Sequence, residues 1–303
     1  MKILITGAAG FTATHLSKLL AGQSDPASAP NELFFTSLRT NKPEYCTHYI
    51  PCDLTQFESV NSLLSSIRPD QIYHLAGSFT NDYALDYAAN VLSTKNILEA
   101  LLRSKTDVKV LLIGSAAEYG AVEEAENPIT EGHLLKPISI YGLTKVYQTH
   151  LMNYYCRVHN LNIVMARTFN IFGKGMSNRL FVGRIYEQID KYKRQEISKI
   201  TVGNLKNRRD YLNVEDTVKH YRAIVAWGAP GEIYNVGSGK SIRIDDLLVK
   251  LLDEAGLAHD VIEEQIYKAN KQIEVSDIYA DMSKTRAIEA FRQNTPLPCD
   301  SIK

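Results

Sequence analysis

A short apolar segment, Lys2–Thr6, runs directly into Gly7-Ala8-Ala9-Gly10-Phe11-Thr12-Ala13, and from Phe11 apolar residues recur at helical spacing to Ala21. This junction of strand, glycine turn and helix restricts the fold more than any other feature of the chain. It opens a βαβ unit, in which parallel strands are joined by crossover helices. In the pattern G-x-x-G-x-x-G/A, Gly7 makes the tight turn and Gly10 lets backbone approach a pyrophosphate. Ala13 is small enough for helix and strand to pack closely, and the helix start adds unpaired N–H donors and a positive dipole end.

The alternation continues along the chain. Leu33–Ser37 and Tyr49–Cys52 predict a second and third strand, and Gln56–Ile67 an amphipathic helix. Gln71–Leu75 reads as a strand, Leu85–Leu102 as a long helix, Val108–Ile113 as a buried strand, Tyr141–His159 as a helix and Leu161–Ala166 as a further strand. We therefore expect an α/β fold with a Rossmann-type, doubly wound parallel sheet. From about residue 170 the alternation loosens. Strand-like pieces at Ile200–Val202, Glu232–Asn235 and His259–Glu263 sit among helices at Val214–Trp227 and Ile244–Ala255. The expected organisation is a dinucleotide-binding domain over residues 1–170 and a smaller α/β region, mainly for substrate, over 171–303.

Composition matters mostly for what it excludes. The 303 residues are 45% apolar, enough for one large or two closely coupled cores. Lys plus Arg (34) balances Asp plus Glu (34), so no overall field recruits nucleic acid or a membrane surface, and an anionic ligand must be held by local groups. The cysteines, Cys46, Cys52, Cys156 and Cys299, form no CxxC and read as reduced thiols, with no metal site expected. No apolar run reaches the roughly 18 to 20 residues of a membrane span, and the first residues do not resemble a signal peptide. A soluble, cytoplasmic protein is expected.

The end of the second strand reads Thr36-Ser37-Leu38-Arg39-Thr40, with no acid before Glu44. A carboxylate there would bond the ribose 2′-hydroxyl of NAD, whereas a hydroxyl and a cation suit the 2′-phosphate of NADP. The expected cofactor is NADP(H), with Ser37 and Arg39 on the phosphate. Gly7, Gly10, Phe11 and Thr12 are then expected at the pyrophosphate, Asp53 and Leu54 at the adenine, and Leu75, Ala76 and Gly77 carrying the chain past the phosphates.

Tyr141-Gly142-Leu143-Thr144-Lys145 places a phenol and an ammonium on one helical face. The charge should favour the phenolate and lower a pKa otherwise near 10. Ser115, ending the Val110-Leu111-Leu112-Ile113-Gly114 run, offers a hydroxyl to the same oxygen at the sheet edge where α/β crevices lie.

Taken together, TGAAGF, HLAG, GSAAEYG, YGLTK and RTFN occur in the order and spacing of the extended short-chain dehydrogenases/reductases, and the resemblance runs from Met1 to about Lys284. Residues 202–211, VGNLKNRRDY, are similar to the branch of GDP-mannose 4,6-dehydratases and GDP-6-deoxy-4-keto-mannose reductases. The resemblance implies a catalytic triad of Ser115, Tyr141 and Lys145, the latter two also touching the cofactor. It implies that Asn170 and Arg209 meet the sugar-nucleotide phosphates, that Val182 and Arg184 belong to the substrate site, and that the protein is a homodimer. Where the family usually has an arginine to clamp the diphosphate, this chain offers Lys268 or Lys271, a contact without the bidentate fork.

The same resemblance bears on the reaction. Dehydratases of the family carry Glu, sometimes with Asp, just after the catalytic Ser or Thr; here Ala116 and Ala117 stand there and cannot move protons. Glu118 follows, but the strand-end geometry should point it elsewhere. Relatives that epimerise C3 and C5 have Cys in place of Ala117 and His after the RTFN-like segment, and Asn170–Leu180 contains no His. What remains is NADPH-dependent reduction of the C4 keto group of a nucleotide-activated, expectedly GDP-linked, 4-keto-6-deoxy sugar. The alternatives are a redox-neutral C4 epimerase with tightly bound NAD, or a non-catalytic nucleotide-binding protein on the same fold. The missing acid and Arg39 favour reduction.

Overall fold

A computed structural model describes residues 1–22, 30–39, 42–173, 175–203, 205–264 and 275–294, with side chains to 288. Its centre is a parallel sheet of seven strands. In chain order these are β1 (Lys2–Thr6), β2 (Glu32–Thr36), β3 (His48–Tyr49), β4 (Gln71–His74), β5 (Lys109–Ser115) and β6 (Ile163–Thr168), followed by one strand from much later in the chain. Between and after them come α1 (Phe11–Ala21), α2 (Phe57–Ile67), α3 (Tyr83–Tyr87), α4 (Ser93–Ser104) and α5 (Ile140–His159). Strand β1 pairs with β2 on one side and β4 on the other, with Thr6 level with both Thr36 and His74. The chain thus leaves β1 in one direction and later returns across it. Such a reversal opens a crevice at the carboxyl ends of the strands.

The strands are near-continuous apolar runs because both faces of the sheet are covered. Ile3 and Ile5 point to one face with Leu16, Phe35, Leu111 and Val164. Leu4 and Ile72 point to the other with Leu63, Leu98, Val110, Leu112 and Met165. Each such fully buried aliphatic side chain contributes about 1.5–3 kcal/mol.

The segment expected as one helix over Leu85–Leu102 is helical throughout but not uniform: a π-helical turn, Ala88–Leu92, joins α3 to α4. The remaining elements are β7 (Asn170–Phe172), α6 (Phe181–Lys193), β8 (Ile200–Val202), β9 (Arg208–Arg209), β10 (Tyr211–Asn213), α7 (Val214–Trp227), β11 (Ile233–Val236), β12 (Ile242–Arg243), α8 (Ile244–Ala255), β13 (Ile262–Glu264), β14 (Asp277–Ile278) and α9 (Ser283–Asn294). His259–Val261 forms a 3₁₀ turn rather than the start of a strand, and β13 follows it.

Strand β11 is the late strand, pairing in parallel with β6 at the sheet edge. The seven-stranded sheet therefore draws on residues beyond 170, because α7 and β11 return to it after an excursion. That excursion supplies α6 and β8, and α8, which follows β11, packs with them around Val182, Ile185, Ile189, Leu248 and Leu252 as a smaller core of its own. Among the described residues no helix is long and apolar enough to cross a membrane.

Candidate active site

The crevice at the carboxyl edge opens into a cavity of about 1150 Å³, walled by residues from the central sheet and from the smaller region. Ser115, Ala116, Ala117 and Tyr141 line one side, Thr12 and Leu75 the cofactor side, and Asn170, Val182 and Arg209 the side toward the later residues.

Ser115 ends β5 and caps a 3₁₀ turn, Ala116–Glu118. Its Oγ accepts from the Ala117 N–H at 3.2 Å, while the Glu118 carboxylate accepts from the Ser115 N–H at 2.7 Å. Helix α5 begins one residue before Tyr141 because Ser139 caps it, accepting from the Gly142 N–H at 3.0 Å. Gly142 is needed there: a β-carbon would lie 2.4 Å from the Ala117 carbonyl oxygen. That close approach of helix to turn brings the Tyr141 hydroxyl into hydrogen bonding with Ser115.

The electrostatics differ from the sequence expectation. Burial pushes the Tyr141 phenol up to about 12, with the Ser115 hydrogen bond opposing it only in part. Burial pushes the Lys145 ammonium down to about 8, against the attraction of Glu118 and Asp86. Lys145 Nζ lies 5.7 Å from the Tyr141 ring centroid and donates to Ile113 O at 2.9 Å and Gln148 Oε1 at 3.2 Å. The i, i+4 spacing sets the two groups side by side, but the loss of water is the largest influence on each.

Glu118 is turned into the core. It is fully buried, paired with Arg167 Nη2 at 3.0 Å, and accepts from Thr149 Oγ1 at 2.6 Å. Ala116 and Ala117, which face the cavity, carry no proton-transfer group.

On the cofactor side, the residues fit a dinucleotide. Gly7 turns at φ 68°, and a β-carbon there would stand 2.8 Å from the Ala76 nitrogen, so the two loops meet backbone to backbone. Gly10 precedes α1 without a side-chain cap, leaving the first-turn N–H groups of the helix for an anion. Thr12 and Leu75 line the cavity, and Gly77 lies beside Asn90 and Lys145. Phe11 packs edge-on to His15, 5.1 Å between centroids.

Three residues expected at the adenosine make bonds within the protein. The Ser37 hydroxyl is buried and bonded to Tyr49 Oη at 2.7 Å. Leu54 is a core side chain, its carbonyl accepting from Asn96 Nδ2 at 2.9 Å. Asp53 Oδ1 accepts from the Thr55 N–H and hydroxyl at 2.9 and 2.7 Å. Arg39 is exposed, its carbonyl accepting from Tyr49 Oη.

On the substrate side, Asn170 Nδ2 donates to Asp210 O at 3.1 Å, leaving its carboxamide oxygen for the cavity. Arg209 lines the cavity while its Nη1 donates to Arg208 O at 2.7 Å. Val182 is fully buried at the cavity floor. Arg184 is exposed on α6 and outside the lining, because Val182, Ile185 and Ile189 take the inward face of that helix. Lys268 and Lys271 lie outside the described residues.

Sequence reasoning missed Phe79 and Tyr211, both in the lining. Phe79 is 47% exposed and meets the Tyr141 ring edge to face at 4.9 Å. Its only signal was position, just after the HLAG segment.

The family described as NAD dependent epimerase/dehydratase matches residues 3–237. A GDP-6-deoxy-D-mannose reductase of Pseudomonas aeruginosa is 28% identical over 269 residues, covering 87% of this chain and 83% of that protein. The structure of RMD from Pseudomonas aeruginosa complexed with NADPH aligns with a TM-score of 0.80 at 26% identity, over 95% of this chain and 92% of that one. A Thermus thermophilus UDP-glucose 4-epimerase complex with NAD aligns at 0.81 with 23% identity, over 95% and 92% of the two chains, a likeness of fold alone.

Proposed function

The chain belongs to the NAD dependent epimerase/dehydratase family of nicotinamide-using enzymes that act on nucleotide sugars, and from that premise we propose that it reduces the C4 keto group of a GDP-linked 4-keto-6-deoxy sugar with NADPH. One observation carries this reading: the cavity presents Ser115 and Tyr141 beside Lys145, while the positions after Ser115 are Ala116 and Ala117 and the acid that follows them, Glu118, is locked to Arg167. Such a site can move one proton to a carbonyl oxygen, and the described residues that line it include no second acid–base pair for dehydration.

When bound, the nicotinamide supplies the hydride. Tyr141, protonated throughout the neutral range, gives its proton to the sugar O4 as charge develops there. Ser115 bonds the same oxygen, and Lys145 stabilises the tyrosinate left behind. The uncapped start of α1 holds the pyrophosphate, Arg39 is the cation for a 2′-phosphate, and Asn170 and Arg209 are the groups toward the substrate diphosphate. The resemblance to a reductase and to a structure holding NADPH supports this choice over the C4 epimerase reading, which the triad alone would also serve.

We further propose a cytoplasmic homodimer. Cys46, Cys52 and Cys156 are free thiols. Tyr83, Leu85 and Tyr87 on α3 and Tyr154 and Val158 on α5 are exposed apolar side chains of the kind a partner subunit covers. The deciding experiment is to offer 4-keto GDP-, dTDP-, CDP- and UDP-sugars with NADPH and to follow a two-hydrogen mass gain. Interconversion of C4 epimers without added cofactor, and no reduction, would establish the epimerase instead.

A further inference from the structure

Behind the cavity a chain of buried side chains connects Lys145 to the backbone beneath the glycine turn. Lys145 Nζ donates to Gln148 Oε1 at 3.2 Å, and Gln148 Nε2 donates to Thr94 Oγ1 at 2.8 Å. The Thr94 hydroxyl gives its own proton to Asn90 O at 2.8 Å. His74 Nε2 stands 3.1 Å from Thr94 Oγ1, His74 Nδ1 stands 2.8 Å from Thr6 Oγ1, and the Ala76 N–H donates to Thr6 Oγ1 at 3.1 Å. Gln148, Thr94, Thr6 and His74 are each no more than 1% exposed.

The donor and acceptor order of this chain has one solution. The proton of Thr94 is spent on Asn90 O, so Thr94 Oγ1 can only accept from its other neighbours. His74 must then carry its proton on Nε2, and Nδ1 must accept from the Thr6 hydroxyl. For the same reason the amide of Gln148 must turn its NH₂ to Thr94, which leaves only the carbonyl oxygen for Lys145. A buried amide in the reverse orientation would set an N–H against the ammonium and leave Thr94 facing an acceptor. Burial and the nearby Lys145 charge hold the imidazole down at about 3, so His74 stays neutral and this order persists through the working pH range.

We propose that Gln148 is a positioning residue for the reaction: it holds the Lys145 ammonium in place and charged, and through Thr94, His74 and Thr6 it ties that position to Ala76, the backbone against which Gly7 turns. The inference rests on the reading of Lys145 as the partner of Tyr141. The groups facing Lys145 are Gln148 on its own helix, Tyr141 one turn earlier, Ile113 O on β5, Glu118 on the following turn, Asp86 on α3 and His74 on β4. Of these, Gln148 is the one side chain bonded directly to the ammonium, and a change of its charge acts on Lys145 first.

The test is the pH dependence of kcat/KM for the reduction in the full-length enzyme. Gln148→Glu places a carboxylate where the amide oxygen stands, and the Thr94 hydroxyl can turn to meet its second oxygen. The alkaline limb should then move up by about one pH unit or more. Gln148→Leu removes the acceptor without replacing it, and the limb should move down, with kcat falling about tenfold or more. Thr94→Val frees the Gln148 amide to reorient and should move the limb in the same downward direction by less. A structural role alone would not shift the limb in opposite directions. Thermal unfolding is followed in parallel, and if the Gln148 variants fail to fold, the Thr94→Val profile decides. Variants that fold and keep the wild-type profile would overturn the proposal. Tyr141→Phe serves as the control: if it retains full activity, the catalytic reading itself is wrong, whereas an inactive Tyr141→Phe with an unmoved Gln148→Glu profile removes only the role of Gln148.

Discussion

The Lys145 ammonium stands 5.7 Å from the centroid of the Tyr141 ring, and its hydrogen bonds run to Ile113 O and Gln148 Oε1. Burial drives the two groups in opposite directions, the phenol up to about 12 and the ammonium down to about 8. At neutral pH the pair is therefore a neutral proton donor beside a cation, the state a reductive site needs.

The pH profile follows with a definite sign. Lys145 has a lowered pKa, so its proton is lost as pH rises through about 8, and with it the charge that stabilises the tyrosinate. Reductive kcat/KM should be flat through neutral pH and fall above that value. A rate that keeps rising into alkaline solution would contradict this assignment.

Tyr141→Phe removes the proton donor and keeps the ring against Phe79. Reduction should drop by about two orders of magnitude or more, on the usual scale of general acid catalysis. NADPH affinity should change little, because the turn at Gly7 and Gly10 holds the other end of the cofactor. Stopped-flow reduction and fluorescence titration measure the two separately.

NADPH should bind more tightly than NADH. The Ser37 hydroxyl is engaged with Tyr49, which leaves Arg39 as the candidate partner of the 2′-phosphate. Arg39→Ala should weaken NADPH by about tenfold, the worth of one charged hydrogen bond at an exposed site, and leave NADH unchanged. Equal losses for both cofactors would place Arg39 away from the phosphate.

Glu118 should prove structural. Glu118→Ala leaves Arg167 buried without its partner and should cost about 3–5 kcal/mol in urea unfolding. The wild-type enzyme should not convert GDP-mannose into its 4-keto-6-deoxy form, since Ala116 and Ala117 supply no acid or base. Steady formation of that product would show that Glu118 or another group reaches the sugar.

Much of the site was legible because its markers are local. Gly7 and Gly10 read directly from their place between a strand and a helix, and Tyr141 and Lys145 from their i, i+4 spacing. The lining of the cavity was less legible. Phe79 carries no pattern of its own, and its exposure beside Tyr141 depends on how the loop after β4 meets α5. Arg184 shows the limit of one-dimensional proximity: nearness to Val182 says nothing of which face of α6 is inward, and Val182, Ile185 and Ile189 take that face for the core while Arg184 is exposed.

By itself the sequence determined the succession of strands and helices, the glycine turn and the presence of a Ser, a Tyr and a Lys at the right edge of the sheet. Those features depend on backbone sterics, side-chain periodicity and contacts within a few residues, which short stretches of chain already contain. Only the tertiary structure decided the protonation of Tyr141 and Lys145, the inward turn of Glu118 toward Arg167, and the buried order running from Gln148 through Thr94 and His74 to Thr6. These depend on which groups lose water and which distant partner meets them. Thr6 and His74 are 68 residues apart in the chain and 2.8 Å apart in the fold. Desolvation and pairing across such separations exist only once the sheet has closed around them.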